Sequence, residues 1–454
     1  MFNVLLIKLF LALTALACLS GMFGRSQGAL GSTGGTYANL TTALKRRYDD
    51  SFLGKVTWSK GAFAAMLRKK AWSGEFPVYM MRVGNSPARS ATYSVAAAKS
   101  EDGTYGFTRV KQAQLAWYKD YGRATIDGLL MATASDKMGT VYDKFVAQLD
   151  GILDATMHSI STKVYRSGWG AIGNLDATTD VTTTTGILEV KEDIVLYEVG
   201  QDVVFSSSLN AAALRNAGAV LTVTGINLNL GQLTFNAAIN TVTGTIAGDY
   251  IFSSGDRQNS ATPTRLAMAG YGAWCPFAAP AGGENFMNLG DRNVDGRLLG
   301  TVVDATTMTE EEFLIQAAVE ADRFGGKPRM AYFNPTRYGN LLAQGQGRYR
   351  PTTVKGPMGI GFDGVVVQTN YGDIRVFSDR YCPRDMSVVA EMDSWTVYGA
   401  GTSRLPDFIT ADGNKILRQT ADDGVECRVG AYDSMGTNAP CHNVVGKFTA
   451  TQKF

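Results

Sequence analysis

A chain of 454 residues is too long for one hydrophobic core of ordinary size, and its 45% apolar residues exclude an intrinsically disordered protein. The 43 basic and 41 acidic residues leave a formal net charge of +2, which excludes binding of nucleic acid or of an acidic membrane by bulk charge. The chain has only two histidines, His158 and His442, which disfavours a histidine-based metal site and a Ser-His-Asp triad.

The first residues, MFNVLLIKLFLALTALACLSG, have the order of an export leader: Lys8, an apolar stretch from Leu9 to Ala17, and then Cys18. Taken alone, this order predicts a secreted or lipid-anchored protein. ALAC resembles a lipobox, although the usual larger aliphatic residue is absent at Ala15. The small and polar residues that follow, from Gly21 to Gly35, predict a flexible tether.

An arm with short helices is predicted after Thr36, and its clearest helical pattern runs from Ser59 to Lys69. In this pattern Phe63, Met66 and Leu67 fall on one face. Two basic triplets lie in the arm, KRR around Arg46 and RKK around Lys69. We interpret both as solvated helix faces rather than as contacts to nucleic acid or acidic lipid, because cations also suit a helix C-terminus.

A long β-hairpin is predicted next, with strands from Pro77 to Val83 and from Gly106 to Tyr118 around a polar tip. Polar residues along both strands indicate that the hairpin reaches away from its own core. It therefore needs a partner surface.

The strongest periodic signal runs from Ile126 to Tyr165, where apolar residues recur every three or four positions. It predicts one helix of roughly 40 residues, about 60 Å long at 1.5 Å rise per residue. Such a helix acts as a strut. Gly139, Gly151 and weak flanking charges disfavour the alternative, a coiled coil.

Period-two segments separated by Gly and Asn turns fill the region from Leu188 to Phe252. The region has about the size of a small five-stranded barrel, and we interpret it as an insertion.

A mixed α and β pattern begins at Glu284. A helix from Thr309 to Arg323 is predicted by a capping box, Thr309 with Glu312. A strand follows, and then a second helix capped by Asn334 with Pro335 in its first turn. A glycine-rich loop from Gln344 to Gly364 and several strands complete the pattern.

Two short motifs carry only weak functional signals. GIGFDG, Gly359 to Gly364, matches G-x-G-x-x-G, but a hairpin pattern follows it where a dinucleotide site needs a helix. GYGAWCP contains Cys275, which we interpret as a buried structural thiol rather than a reactive one, since no histidine is near in sequence.

The five cysteines, scattered singly, neither require nor exclude disulfide bonds. Asn39 heads a glycosylation sequon that would matter only after export. No catalytic, cofactor-binding or metal-binding residues are predicted, and we expect neither an enzyme nor a cofactor.

The order of these elements resembles the major capsid proteins of tailed bacteriophages, the family with the Hong Kong 97-like fold. The resemblance covers the chain from Thr36 to Phe454. It depends most on the runs TEEEFLIQAAVEADRFGGKPRMAYFNPTRYGNLL and GVVVQTNYGDIRVFSDRYCPRDMSVVAEMDSWTVYGAG, which look like the axial domain of those shells.

The resemblance implies an α+β fold with an N-terminal arm, an extended hairpin loop, a long spine helix, peripheral and axial domains and a small all-β insertion. The implied division is a leader-like segment at 1–35, the arm at 36–75, the extended loop at 76–121, a peripheral domain with the spine helix at 122–187, the insertion at 188–256, a return to the peripheral domain at 257–283, the axial domain at 284–420, and C-terminal strands of the peripheral domain at 421–454.

By the same resemblance, the chain assembles into pentamers and hexamers around double-stranded DNA, without sequence-specific binding and without a membrane. Expected partners are further copies of itself, portal and scaffolding proteins and a decoration protein, in a virion assembled in the host cytoplasm. No covalent crosslink is expected. The leader then is an upstream extension with Met22 as the natural start, or a segment that is cleaved or held inside the shell. The alternative is a secreted or lipid-anchored β-rich surface protein.

Overall fold

The computed structural model describes residues 61–101, 106–127, 138–282, 284–290, 292–345, 350–355, 361–369, 371–401, 406–409, 416–418 and 423–449. All of them belong to one unit, Thr57–Phe454. The leader, the tether, the sequon at Asn39 and the triplet around Arg46 lie outside the described residues.

A short helix, α1, covers Ala62–Met66, and every one of its residues is buried. The predicted helix from Ser59 to Lys69 is therefore too long, because Arg68–Trp72 forms strand β1. β1 pairs in parallel with β17, Trp395–Ala400, from the far end of the chain. The RKK triplet thus lies on a strand and not at a helix end, which local periodicity could not indicate.

Two strands then form a ribbon. Strands β2, Val78–Gly84, and β3, Arg109–Gln114, pair with each other in a sheet of two strands. Helix α2, Tyr93–Ser100, lies between them in the chain.

The predicted long helix is shorter than expected. Its first part is wrong, because Tyr118–Asp127 is strand β4 and helix α3 covers only Met138–Lys163, 26 residues. β4 pairs over ten positions with β20, Gly424–Thr437. The distant partner strand supplies the hydrogen bonds that decide the conformation here, and a helical pattern in the local sequence cannot report it.

The long strand β20 organises the first six-stranded sheet. It pairs with β4, with β17 and with two short strands, β18 at Asp407–Phe408 and β19 at Ile416–Arg418.

A second six-stranded sheet has the strand order β5-β10-β7-β8-β9-β6. A β-bridge between Leu175 and Leu188 joins its two ends, so the sheet closes into a barrel. The sequence predicted strands at β7 to β10 but missed β5 and β6, which are short and rich in Gly and Thr. The strands are β5 Ala171–Asn174, β6 Thr185–Ile187, β7 Asp202–Ser206, β8 Leu221–Asn227, β9 Gln232–Phe235 and β10 Tyr250–Ser253.

A seven-stranded sheet has the order β11-β21-β16-β12-β15-β14-β13. One face of it packs on helix α5, Glu310–Asp322, through Phe313 and Leu314. A four-residue helix, α4 at Tyr271–Trp274, precedes this sheet, and helix α6, Pro335–Gly345, follows β12. The strands are β11 Thr301–Asp304, β12 Met330–Phe333, β13 Arg350–Lys355, β14 Gly361–Thr369, β15 Gly372–Ser378, β16 Met386–Ala390 and β21 Val444–Lys447.

Local signals at the two helices of this sheet are confirmed. Thr309 and Glu312 form the predicted capping box of α5, and Asn334 Oδ1 accepts a hydrogen bond from Thr336 N at the start of α6. The predicted loop from Gln344 to Gly364 is wrong, because β13 and β14 pair as antiparallel strands within it. Its glycines did not prevent pairing, since β14 is also held by β15 on its other side.

Candidate assembly surface and the junction at its base

The ribbon of β2 and β3 has one covered face and one open face. Opposite residues of an antiparallel pair share a face, so Met81 and Ala113 lie on the covered face, where they are buried. Met80 and Val110 lie on the open face and are 74% and 51% exposed. The open face therefore presents apolar side chains that another molecule could cover.

The segment between the two strands is even less covered. Helix α2 buries none of its residues, and its Tyr93 and Val95 are exposed. Phe107, just before β3, is 68% exposed. Exposed apolar side chains at this density are typical of an interaction site rather than of a solvated loop.

Strand β3 is fixed to the rest of the protein at both of its ends. Gln114 N donates a hydrogen bond to Met287 O at 2.9 Å, and Arg109 forms an ion pair with Asp295 at 3.5 Å. Both ends of β3 are therefore held, while the apolar side chains of the open face remain exposed.

Behind the ribbon, the end of helix α3 meets three parts of the chain at a buried charged junction. Lys163 Nζ lies 2.8 Å from Asp120 Oδ2 on β4 and 3.8 Å from Asp256 Oδ2 beside the barrel. Ser159 Oγ also donates to Asp120 Oδ2, at 2.6 Å. Burial raises the pKa of Asp433 on β20 to about 7, against the attraction of Lys163.

A second buried carboxylate, Asp379, fixes the segment that enters from α1. Asp379 Oδ2 accepts hydrogen bonds from Phe63 N at 3.1 Å and from Tyr165 OH at 2.7 Å. Burial raises the pKa of Asp379, although these donors favour the charged form. The Phe63 ring fills a socket of aromatic side chains, formed by Tyr165, Tyr271, Tyr332 and Trp395.

The weak sequence motifs do not form a reaction centre. The last four residues of GIGFDG, Gly361–Gly364, lie on β14, and a strand follows them rather than a helix. Cys275 is fully buried, and burial raises the pKa of its thiol to about 12. The two histidines lie apart, His158 beside Tyr381 and His442 beside Glu391.

No group of three or more His, Cys, Asp or Glu side chains in the described ranges is placed to hold a metal ion. Within the same ranges, no helix has the length and apolar character needed to cross a membrane.

The ribbon strands were predicted from the sequence, whereas the charged junction was not. Polar residues along both strands predicted a hairpin that reaches away from its own core. The pairing is correct, but Met81 and Ala113 are buried in that core, and Tyr118, predicted as the last residue of the hairpin, begins β4. Asp120, Lys163, Asp256 and Asp433 are each ordinary in their local sequence, and only the tertiary fold brings them together.

No profile of a known protein family matches the sequence, and no curated protein is similar to it. Solved structures do match. The capsid asymmetric unit of Cyanophage A-1(L) is similar at a TM-score of 0.50 and 11% identity, over 91% of this chain and 99% of that chain. The capsid of a native GTA particle has a TM-score of 0.42 at 9% identity, over 93% of this chain and 100% of that one. An encapsulin complex from Synechococcus elongatus has a TM-score of 0.41 at 8% identity, over 94% and 99%.

The similarity to the cyanophage shell extends over nearly all of both chains. The chain therefore has the Hong Kong 97-like fold, and this prediction is confirmed.

Proposed function

We propose that the chain is the major capsid protein of a tailed phage, which assembles with further copies of itself into pentamers and hexamers around double-stranded DNA. The open ribbon face carries the proposal. Met80 and Val110 are exposed on the open face of the ribbon, which the described part of its own chain leaves uncovered. In a closed shell, a neighbouring copy of the chain covers this face, and the same contact repeats between all neighbouring copies.

The similarity to the cyanophage shell supports the same function through the fold. Nothing in the described residues favours the alternative, a secreted or lipid-anchored surface protein. A structural role without catalysis follows from the proposal. We also propose the domain division given above, with the ribbon as the extended loop, α3 as the spine helix and the barrel as the insertion, which then begins at β5 rather than at residue 188.

Further partners follow from the role of a shell protein. A portal protein, a scaffolding protein and a decoration protein are proposed, with assembly in the host cytoplasm and a final place in the virion. DNA is enclosed without sequence-specific contacts, consistent with a formal net charge of +2.

Electron microscopy of the purified chain, expressed once from Met1 and once from Met22, tests the proposal. Closed shells, or rings of five and six subunits, are expected. Monomers that never assemble, even with co-expressed phage proteins, would contradict the capsid function.

A matched pair of double variants tests the ribbon itself. Met80→Asp with Val110→Asp places two charges on the open face, and we expect folded subunits that no longer assemble. Leu228→Asp with Leu230→Asp is the control, since both leucines are exposed in the connection between β8 and β9. Circular dichroism checks the fold of both. Normal shells from the ribbon variant would show that the open ribbon face is not needed for assembly.

A further inference from the structure

A cavity of about 630 Å³ lies away from the ribbon. Its walls come from the segment after α3, including Trp169, from the barrel residues Ser208 to Asn210, and from the segment 276–281. The volume falls within the range of about 300–1,000 Å³ that is usual for small-ligand sites.

Three charged side chains line this cavity: Arg265, Glu284 and Arg292. Arg265 Nη2 donates to Glu284 Oε1 at 3.1 Å, and Arg292 Nη1 lies 3.8 Å from Glu284 Oε2. Both guanidinium groups also lie over the ring of Phe286, at 4.9 and 4.3 Å from its centroid. Among the described residues that line the cavity, two cations thus share one carboxylate, which leaves one positive charge without balance.

Most of this unbalanced positive charge is on Arg292. Its side chain is 1% exposed, and its Nη2 donates to Ala273 O at 2.6 Å. Its Nε has no hydrogen-bond partner among the described residues. Burial lowers the pKa of Arg292 to about 10, so the group still carries its charge at pH 7. A buried charge and a buried N–H without an acceptor are both costly, and a bound anion would relieve both costs.

We infer that this cavity binds a carboxylate ligand, held by Arg292 and Arg265, with an apolar body packed on the Trp169 and Phe277 rings. A single negative charge balances the excess at the site. A phosphate group, with about −1.5 to −2 charge at pH 7, would exceed it and face the carboxylate of Glu284. The carboxylate comes from a free small molecule or from an acidic side chain of another polypeptide, and the two sources share this chemistry.

Calorimetric titration of unassembled subunits with benzoate, at constant ionic strength, tests the site. Benzamide is the matched uncharged probe and is expected to bind at least about tenfold more weakly, because a hydrogen bond to a charged group is worth about one factor of ten or more. Equal binding of both probes, or no binding of benzoate, would overturn the inference.

Two variants should shift benzoate binding in opposite directions. Glu284→Gln removes the competing carboxylate and is expected to strengthen binding about tenfold, while Arg265→Gln is expected to weaken it about tenfold. Arg323→Gln, an exposed ion-paired arginine on the surface, should change nothing. If both cavity variants weaken benzoate binding, the three charged side chains have only a structural role.

Repeating the titration on assembled shells separates the two sources. Benzoate binding that persists in shells indicates a free small carboxylate. Binding that disappears in shells indicates that a carboxylate of another subunit fills the cavity. The titration of unassembled subunits needs no shell, so failure of the proposed capsid function leaves the ligand inference testable on its own.

Discussion

The ammonium group of Lys163 lies 2.8 Å from Asp120 Oδ2 and joins the C-terminal end of helix α3 to strand β4. The same ammonium group reaches Asp256, so one side chain connects the helix to the first sheet and to the barrel region. Because the lysine is buried, its removal leaves the partly buried carboxylates of Asp120 and Asp256 without this counter-charge.

Lys163→Met should therefore destabilise the subunit strongly. We expect a loss of about 3–5 kcal/mol in the free energy of unfolding, the usual cost of breaking one partner of a buried pair. Urea denaturation measures it. Arg418→Met is the control, since its ion pair with Asp423 is exposed on both sides and should be worth less than about 1 kcal/mol. Similar losses for both variants would show that the junction contributes no special stability.

The junction also predicts a dependence of stability on pH. Burial raises the pKa of Asp433 from 3.8 to about 7, so the folded state binds more protons than the unfolded state between these values. Stability from this group is complete below pH 4 and is lost as the pH rises through about 7. Asp433→Asn should match the wild type near pH 4 and become more stable than it above pH 7, by on the order of 4 kcal/mol.

Urea denaturation at several pH values checks this prediction, and Asp304→Asn serves as a control of opposite sign. Hydrogen bonds from Thr306 and Lys447 lower the pKa of Asp304, so its contribution is present above pH 4 and lost below. That variant should lose stability relative to the wild type as the pH rises. An Asp433 variant whose difference from the wild type stays constant with pH would refute the buried-carboxylate explanation.

Substitution by alanine should change the stability of the protein in opposite directions at two glycines. A Cβ at Gly270 would overlap the carbonyl groups of Lys163 and Val164, which are backbone atoms and cannot move aside. We expect Gly270→Ala to lower the melting temperature sharply or to prevent folding. Gly151 lies inside helix α3 with no atom within 4 Å of a new Cβ, so Gly151→Ala should stabilise by roughly 0.5–1 kcal/mol. Equal melting temperatures would contradict the close contact at Gly270.

The cysteines should differ in reactivity. Burial raises the pKa of Cys275 to about 12, and burial also raises the pKa of Cys382 well above its ordinary value. Both should resist iodoacetamide at pH 8 until the protein unfolds, whereas the half-buried Cys441 should react before either of them. Peptide mass spectrometry after timed labelling gives the order. Rapid labelling of Cys275 in the folded protein would restore the reactive-thiol hypothesis.

Local signals in the sequence gave the correct structure where neighbouring residues decide it. The capping box of Thr309 and Glu312 and the cap at Asn334 use partners within three residues, so the predicted helix starts were correct. The apolar face at Phe63, Met66 and Leu67 was also correct in burial, although the helix ends at Met66.

Remote partners account for the errors. Ile126 was assigned to a helix but pairs with Val425, and Lys69 was assigned to a helix but pairs with Val397. Likewise, only folding brings Arg265 and Arg292 to the shared carboxylate of Glu284. Periodicity along the chain contains no information about such partners, which explains why the ribbon could be predicted and the junction could not.

The position of β21 has a consequence for synthesis on the ribosome. Residues Val444–Lys447 lie between β11 and β16, inside the seven-stranded sheet rather than at its edge. A nascent chain that has not yet released these residues leaves both neighbouring strands unpaired on that side. Completion of this sheet therefore waits for the synthesis of Val444–Lys447, and a subunit terminated before these residues lacks an interior strand and is a substrate for chaperones and proteases.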